Sequence, residues 1–80
     1  MHIDVDSAMG YVHTLFNLNP DAYRMTENLF EYISGHDVPD PEGLLLHVLD
    51  AFGFESRDLD GMLAAGCIRY DAGRKEGGRE

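Results

Sequence analysis

Apolar residues alternate with polar ones only at the start of the chain; beyond it they recur with the spacing of a helix. In Met1–Asp6, Ile3 and Val5 alternate with polar neighbours, which predicts a short strand or extended arm. Asp6 or Ser7 then caps a first helix running to about Leu18, with Ala8, Tyr11, Val12, Leu15 and Phe16 as its apolar stripe. A second helix starts with Asn19 as N-cap, Pro20 in the first turn and Asp21 at the positive end of the helix dipole. Its predicted buried stripe is Ala22, Met25, Leu29 and Ile33 with Phe30 beside it; Arg24, Glu27, Asn28 and Glu31 lie opposite. Ser34-Gly35 ends it, with Gly35 as the left-handed cap.

After a turn at His36–Pro39, Asp40 caps a third helix with Pro41 at its first position and Glu42 next. Leu44, Leu45, Val48, Leu49 and Phe52 form its core face, and Leu46 falls off that stripe. The helix is therefore central or commits a second face to a partner. Gly53 stops it. Ser56 caps a short fourth helix to about Ala65, with Leu59, Met62 and Leu63 inward and Gly66 closing it. Cys67–Tyr70 reads as a brief strand that pairs with Ile3–Val5. The expected fold is mainly α: a small four-helix domain over residues 1–70, with a minor two-stranded β element made by residues 2–6 and 67–71. Residues 71–80, glycine-rich and of mixed charge, are expected to be a flexible tail.

Charge changes the picture most. Residues 1–66 hold twelve acids, Asp4 through Asp60, against Arg24 and Arg57, a net charge of −10. The other bases, Arg69, Arg74, Lys75 and Arg79, fall in the last twelve residues. Such a body repels DNA, RNA and anionic lipid and is attracted to basic surfaces. Length allows one core, and an apolar content of 44% suffices to build it. The single cysteine, Cys67, allows no internal disulfide; the start lacks the pattern of a signal peptide, and no apolar run approaches the ~20 residues of a membrane span. These features point to a cytoplasmic protein.

The segment from Leu45 to Leu63 resembles a helix-turn-helix. Gly53 sits at the turn, apolar Phe54 follows, and Leu59 and Met62-Leu63 fall at the spacing of a second packed helix. The resemblance covers about a quarter of the chain. The would-be recognition helix presents Glu55, Asp58 and Asp60 with Arg57 its one base, a poor set for phosphates.

Between Met25 and Ser56 there is no Lys or Arg but seven acids: Glu27, Glu31, Asp37, Asp40, Glu42, Asp50 and Glu55. Carboxylates spread over a rigid helical surface can imitate nucleic-acid phosphates and occupy a basic groove. In size and charge, though in no motif, the chain resembles the small phage-encoded inhibitors of host nucleic-acid enzymes, anti-CRISPR proteins among them.

Metal and catalytic chemistry find little support. His2, His13, His36 and His47 include no pair at the i, i+4 spacing of a helical zinc site. Ser56–Cys67 has Asp58, Asp60 and Gly61 where a calcium loop would, but Ser56 and Cys67 stand at its first and last positions, so the match fails. Ser7, Ser34 and Ser56 serve better at helix ends than as nucleophiles, and so small a helical fold hardly encloses a ligand pocket.

The expectation is therefore a non-enzymatic interaction protein with no cofactor, no metal and no catalytic residues. Its partner is a protein with a basic, nucleic-acid-binding surface, contacted through Glu27, Glu31, Asp37, Asp40, Asp50 and Glu55 with Tyr23 and Tyr32. It makes no direct contact with nucleic acid or membrane, and a homodimer is allowed. The alternatives are a helix-turn-helix DNA-binding regulator using Arg57, Arg69 and the tail bases, or a small adapter docking through the face around Leu46.

Overall fold

The helices begin where short polar side chains satisfy backbone N–H groups that the helix leaves unpaired, and those caps fix the architecture. In the computed structural model residues 1–70 are described; the tail expected at 71–80 lies outside the described residues. The order is β1 (His2–Ile3), α1 (Val5–Phe16), α2 (Pro20–Gly35), α3 (Pro41–Leu49), a single 3-10 turn (Asp50–Phe52), α4 (Ser56–Ala64) and β2 (Ile68–Arg69). The fold is mainly α, with four helices and one small antiparallel sheet among the described residues, as expected.

The first cap lies earlier than the hydrophobic pattern suggested. Asp4 caps α1: one carboxylate oxygen accepts from the Ser7 N–H at 3.4 Å and the other from the Ser7 hydroxyl at 3.2 Å. Ser7 thus serves the cap rather than being it, and Val5, expected in a strand, opens the helix. The strand shrinks to His2–Ile3, in register with Arg69 and Ile68. A bond from the Asp4 N–H to the Cys67 carbonyl at 2.9 Å closes the pairing. The same aspartate therefore ends a strand and starts a helix.

Helix α1 stops at Phe16, short of Leu18. Asn17 takes a left-handed conformation (φ 50°) and donates to the His13 carbonyl at 2.7 Å. Next to it, the Leu18 N–H donates to His13 Nδ1 at 3.0 Å. Asn19 then caps α2 as expected, its side-chain oxygen accepting from the Ala22 N–H at 2.8 Å.

The other end of α2 departs from expectation. Gly35 is helical, not left-handed, and the helix ends on His36 in an extended conformation. The His36 ring takes over the capping work: Nδ1 donates to the Tyr32 carbonyl at 2.8 Å, and the imidazole stacks on the Tyr32 ring at 4.2 Å. A side-chain donor to a terminal carbonyl removes the need for a glycine turn.

Asp40 caps α3 by accepting from the Gly43 N–H at 3.1 Å. Gly53 follows the 3-10 turn at φ 91°, and Phe54 is buried beneath it, its ring centroid 6.3 Å from that of Phe16. The cap of α4 is Glu55 rather than Ser56; the Asp58 carboxylate reaches back to accept from the Glu55 N–H at 2.9 Å. Gly66, at φ 84°, turns the chain into β2.

The core gathers Ile3, Met9, Val12, Leu18, Phe30, Ile33, Leu45, Leu49, Phe54, Leu59, Met62, Cys67 and Ile68. Two expected core residues are outside it: Leu15 is 48% and Met25 42% exposed. Met9 and Thr26 are buried instead. Leu46, expected off the stripe, is half-buried against the core, as are Leu44, Val48, Phe52 and Leu63. No helix among the described residues is long and apolar enough to cross a membrane.

Candidate acidic interaction surface

Helix α2 positions the first part of the surface. Tyr23, Glu27 and Glu31 recur at i, i+4 and i+8, so they run along one stripe of the helix. Tyr23 is held at one end by an edge-on contact with the His13 ring, centroids 5.4 Å apart. Glu27 is half-buried and Glu31 exposed; neither side chain has a hydrogen-bond or ion-pair partner among the described residues. Two like charges one turn apart repel, which a helix tolerates at about 0.2–0.5 kcal/mol.

Tyr32 does not join them. Five residues separate it from Glu27, which places it about 140° around the helix. It shares that flank with Met25 and half-buried Leu29, and its ring is engaged by His36. The structure thus brings together Tyr23, Glu27 and Glu31 and sets Tyr32 apart.

The remaining acids follow the chain from α2 to α4 and differ in what they already do. Asp37 lines a small polar cleft of about 290 Å³ with Met1, His2, Ser34, Gly35 and His36. Asp40 is exposed, yet its carboxylate is the α3 cap. Asp50, on the 3-10 turn, is exposed, and its side chain has no partner among the described residues. Glu55 stands at the start of α4 with Arg57 Nε 3.4 Å from one carboxylate oxygen, both side chains well solvated. Of the six expected acids, Glu27, Glu31 and Asp50 are therefore uncommitted, whereas Asp40 and Glu55 also hold helix ends.

Other sequence candidates resolve into structural roles. Ser34 bridges α2 to β1, its hydroxyl lying 3.5 Å from both the N–H and the carbonyl of Ile3. Among the described residues no group of three or more His, Cys, Asp or Glu side chains is placed to hold a metal ion. Burial pushes the Cys67 thiol above its ordinary pKa, and the nearby Asp4 carboxylate adds to the shift. In the α3–Gly53–α4 segment, expected to resemble a helix-turn-helix, Phe54, Leu59 and Met62 are buried and α4 turns Arg57, Asp60 and Ala64 to solvent.

No family model, curated protein or solved structure matches the chain.

One surface feature escaped the sequence reading. Along the outer side of α1, Asp6, Ser7, Gly10, Tyr11, Thr14 and Leu15 border an open groove of about 450 Å³. It is a surface depression rather than an enclosed pocket, but its volume falls within the range of binding sites. The legible signal was the run of small residues Ser7, Gly10 and Thr14 on one side of an otherwise apolar helix.

Proposed function

We propose that this protein acts by binding, without catalysis, and covers a basic, nucleic-acid-binding surface on a protein partner. The contact is made by the acids of α2 and of the 3-10 turn. Glu27, Glu31 and Asp50 supply the uncommitted charge, Tyr23 an aromatic contact beside it, and Asp37, Asp40 and Glu55 extend the field. The observation that carries this reading is that Glu27 and Glu31 repel one another on one stripe, in a stretch from Met25 to Ser56 that holds no Lys or Arg. A charge arrangement of this kind attracts cationic surfaces and steers encounter with them. In size and charge the protein resembles phage-encoded inhibitors of host defence complexes, and such a complex is the partner class proposed.

The test is affinity capture with the tagged chain from the cell it comes from. Competition then follows between the captured protein's nucleic acid and the chain, read by fluorescence anisotropy. The chain should displace the nucleic acid, its affinity should fall steeply with salt, and the triple variant E27K/E31K/D50K should lose binding. Displacement that is insensitive to salt and unaffected by the triple variant would falsify the proposal.

A further inference from the structure

The groove on α1 has the properties of a docking surface for a helix. Its floor is Gly10, where an added Cβ would meet no atom within 4 Å, so nothing in the described fold occupies that space. One wall is Tyr11, whose ring leans on α4 with its hydroxyl where a Cβ on Gly61 would stand. The other is Leu15, 48% exposed although it lies beside the buried Val12 and half-buried Phe16. From Asp6 to Leu15 the helix rises about 14 Å, two and a half turns, the length over which a docked helix sets anchors at i, i+3 or i+4, and i+7.

Charge identifies the occupant. Among the described residues Asp6 is the one charged residue bordering the groove, α1 carries no Lys or Arg, and the first Lys or Arg in the chain is Arg24. The groove border thus carries one negative charge and no positive one beside the apolar side chains of Tyr11 and Leu15. A second copy of this chain would bring a body of the same net charge, −10 over residues 1–66, against it. An amphipathic helix bearing Lys or Arg beside its apolar stripe matches both properties.

We propose that the α1 groove docks an amphipathic basic helix of the protein partner, with apolar side chains over Gly10 and against Leu15 and a basic side chain at Asp6. This rests on the reading of the chain as an acidic interaction protein and adds to it a hydrophobic anchor on a different helix.

The test uses the full chain, 15N-labelled, titrated with a synthetic peptide of about five helical turns that carries leucines at i, i+3, i+4 and i+7 and lysines elsewhere. A scrambled peptide of the same composition is the control. The largest amide shifts should fall between Asp6 and Leu15, and the scrambled peptide should bind more weakly. Leu15→Ser should weaken binding about tenfold, and Gly10→Gln should do so by filling the floor. Both substitutions face solvent, and a circular dichroism spectrum checks that each variant is folded. Unchanged affinity in both variants would overturn the groove, as would equal binding of the scrambled peptide. Self-association of the chain that Leu15→Ser abolishes would overturn it too, by assigning the groove to a second copy. Loss of binding in E27K/E31K/D50K with none in Leu15→Ser sinks the groove and leaves the acidic surface standing. The reverse pattern keeps the groove and sinks the acidic surface.

Discussion

Thr26 offers the sharpest test of how this core is built. It is fully buried in the middle of α2, between Phe30 and Ala22 on the inward face, and its hydroxyl has no hydrogen-bond partner among the described residues. A threonine hydroxyl in a helix ordinarily donates to the carbonyl three or four residues back, and this one does not. An unsatisfied buried hydroxyl costs about 1–3 kcal/mol. Thr26→Val keeps the shape, replaces the hydroxyl by a methyl, and changes helix propensity little. The variant should therefore be more stable by about 1–2 kcal/mol. In a domain of this size each 1 kcal/mol corresponds to a rise in Tm of about 4–8 °C.

Urea unfolding followed by circular dichroism measures it directly: the midpoint should rise at constant m-value. Two companions separate the causes. Thr26→Ser retains the hydroxyl and loses a methyl, so it should destabilise; Thr26→Ala loses both, so removal of the polar group offsets part of its cavity cost. If Thr26→Val lowers the midpoint, the hydroxyl is satisfied in solution by a backbone carbonyl or a buried water, and the reasoning fails.

Two further perturbations probe other joints of the fold. The buried Cys67 thiol holds its proton to higher pH than the unfolded chain does, because burial and Asp4 both disfavour the thiolate. Its contribution to stability is therefore complete below the ordinary value of 9.0 and is lost as pH rises through the higher folded value. Unfolding free energy compared between wild type and Cys67→Ala over that alkaline range should show the extra decline in wild type alone; parallel curves would refute it. Gly61→Ala should fail to gain the ~1 kcal/mol that alanine ordinarily brings to a helix interior, because its Cβ meets the Tyr11 hydroxyl. Adding Tyr11→Phe should recover about 0.5 kcal/mol or more in a double-mutant cycle, whereas additive effects would show that the α1–α4 contact is not close.

What was legible in the sequence was local. Asn19-Pro20 and Asp40-Pro41 announce helix starts because the cap bond spans three residues and needs nothing from the rest of the chain. Gly53 and Gly66 mark turns because their left-handed backbones suit glycine. What required the fold was any choice between near-equal local options. Asp4, Asp6 and Ser7 can each cap α1; pairing of β1 with β2 selects Asp4 by placing its N–H on Cys67. Gly35 is a plausible cap until the His36 ring takes the Tyr32 carbonyl. Leu15 and Met25 sit at inward spacing, yet the fold exposes them and buries Met9 and Thr26. For the site, spacing alone puts Glu27 and Glu31 on one stripe and Tyr32 off it, whereas the α1 groove depends on Leu15 staying outside, which the fold decides.

The acids themselves divide by what they do for the fold, and that division separates solubility from function. Asp4, Asp40 and Asp58 satisfy helix N–H groups, so removing one should cost about 1 kcal/mol. Glu31 does nothing comparable: its carboxylate is exposed one turn from Glu27 and repels it. Glu31→Lys turns that repulsion into an ion pair with the glutamate on the N-terminal side, the favourable orientation, and should stabilise the protein by about 0.4–1 kcal/mol. If thermal unfolding shows instead that Glu31→Lys destabilises, the carboxylate holds structure and the acidic stripe needs no partner to explain it. If it stabilises while partner binding falls, the glutamate sits where folding alone would not place it. A charge that weakens the fold and strengthens the complex is then accounted for by the complex.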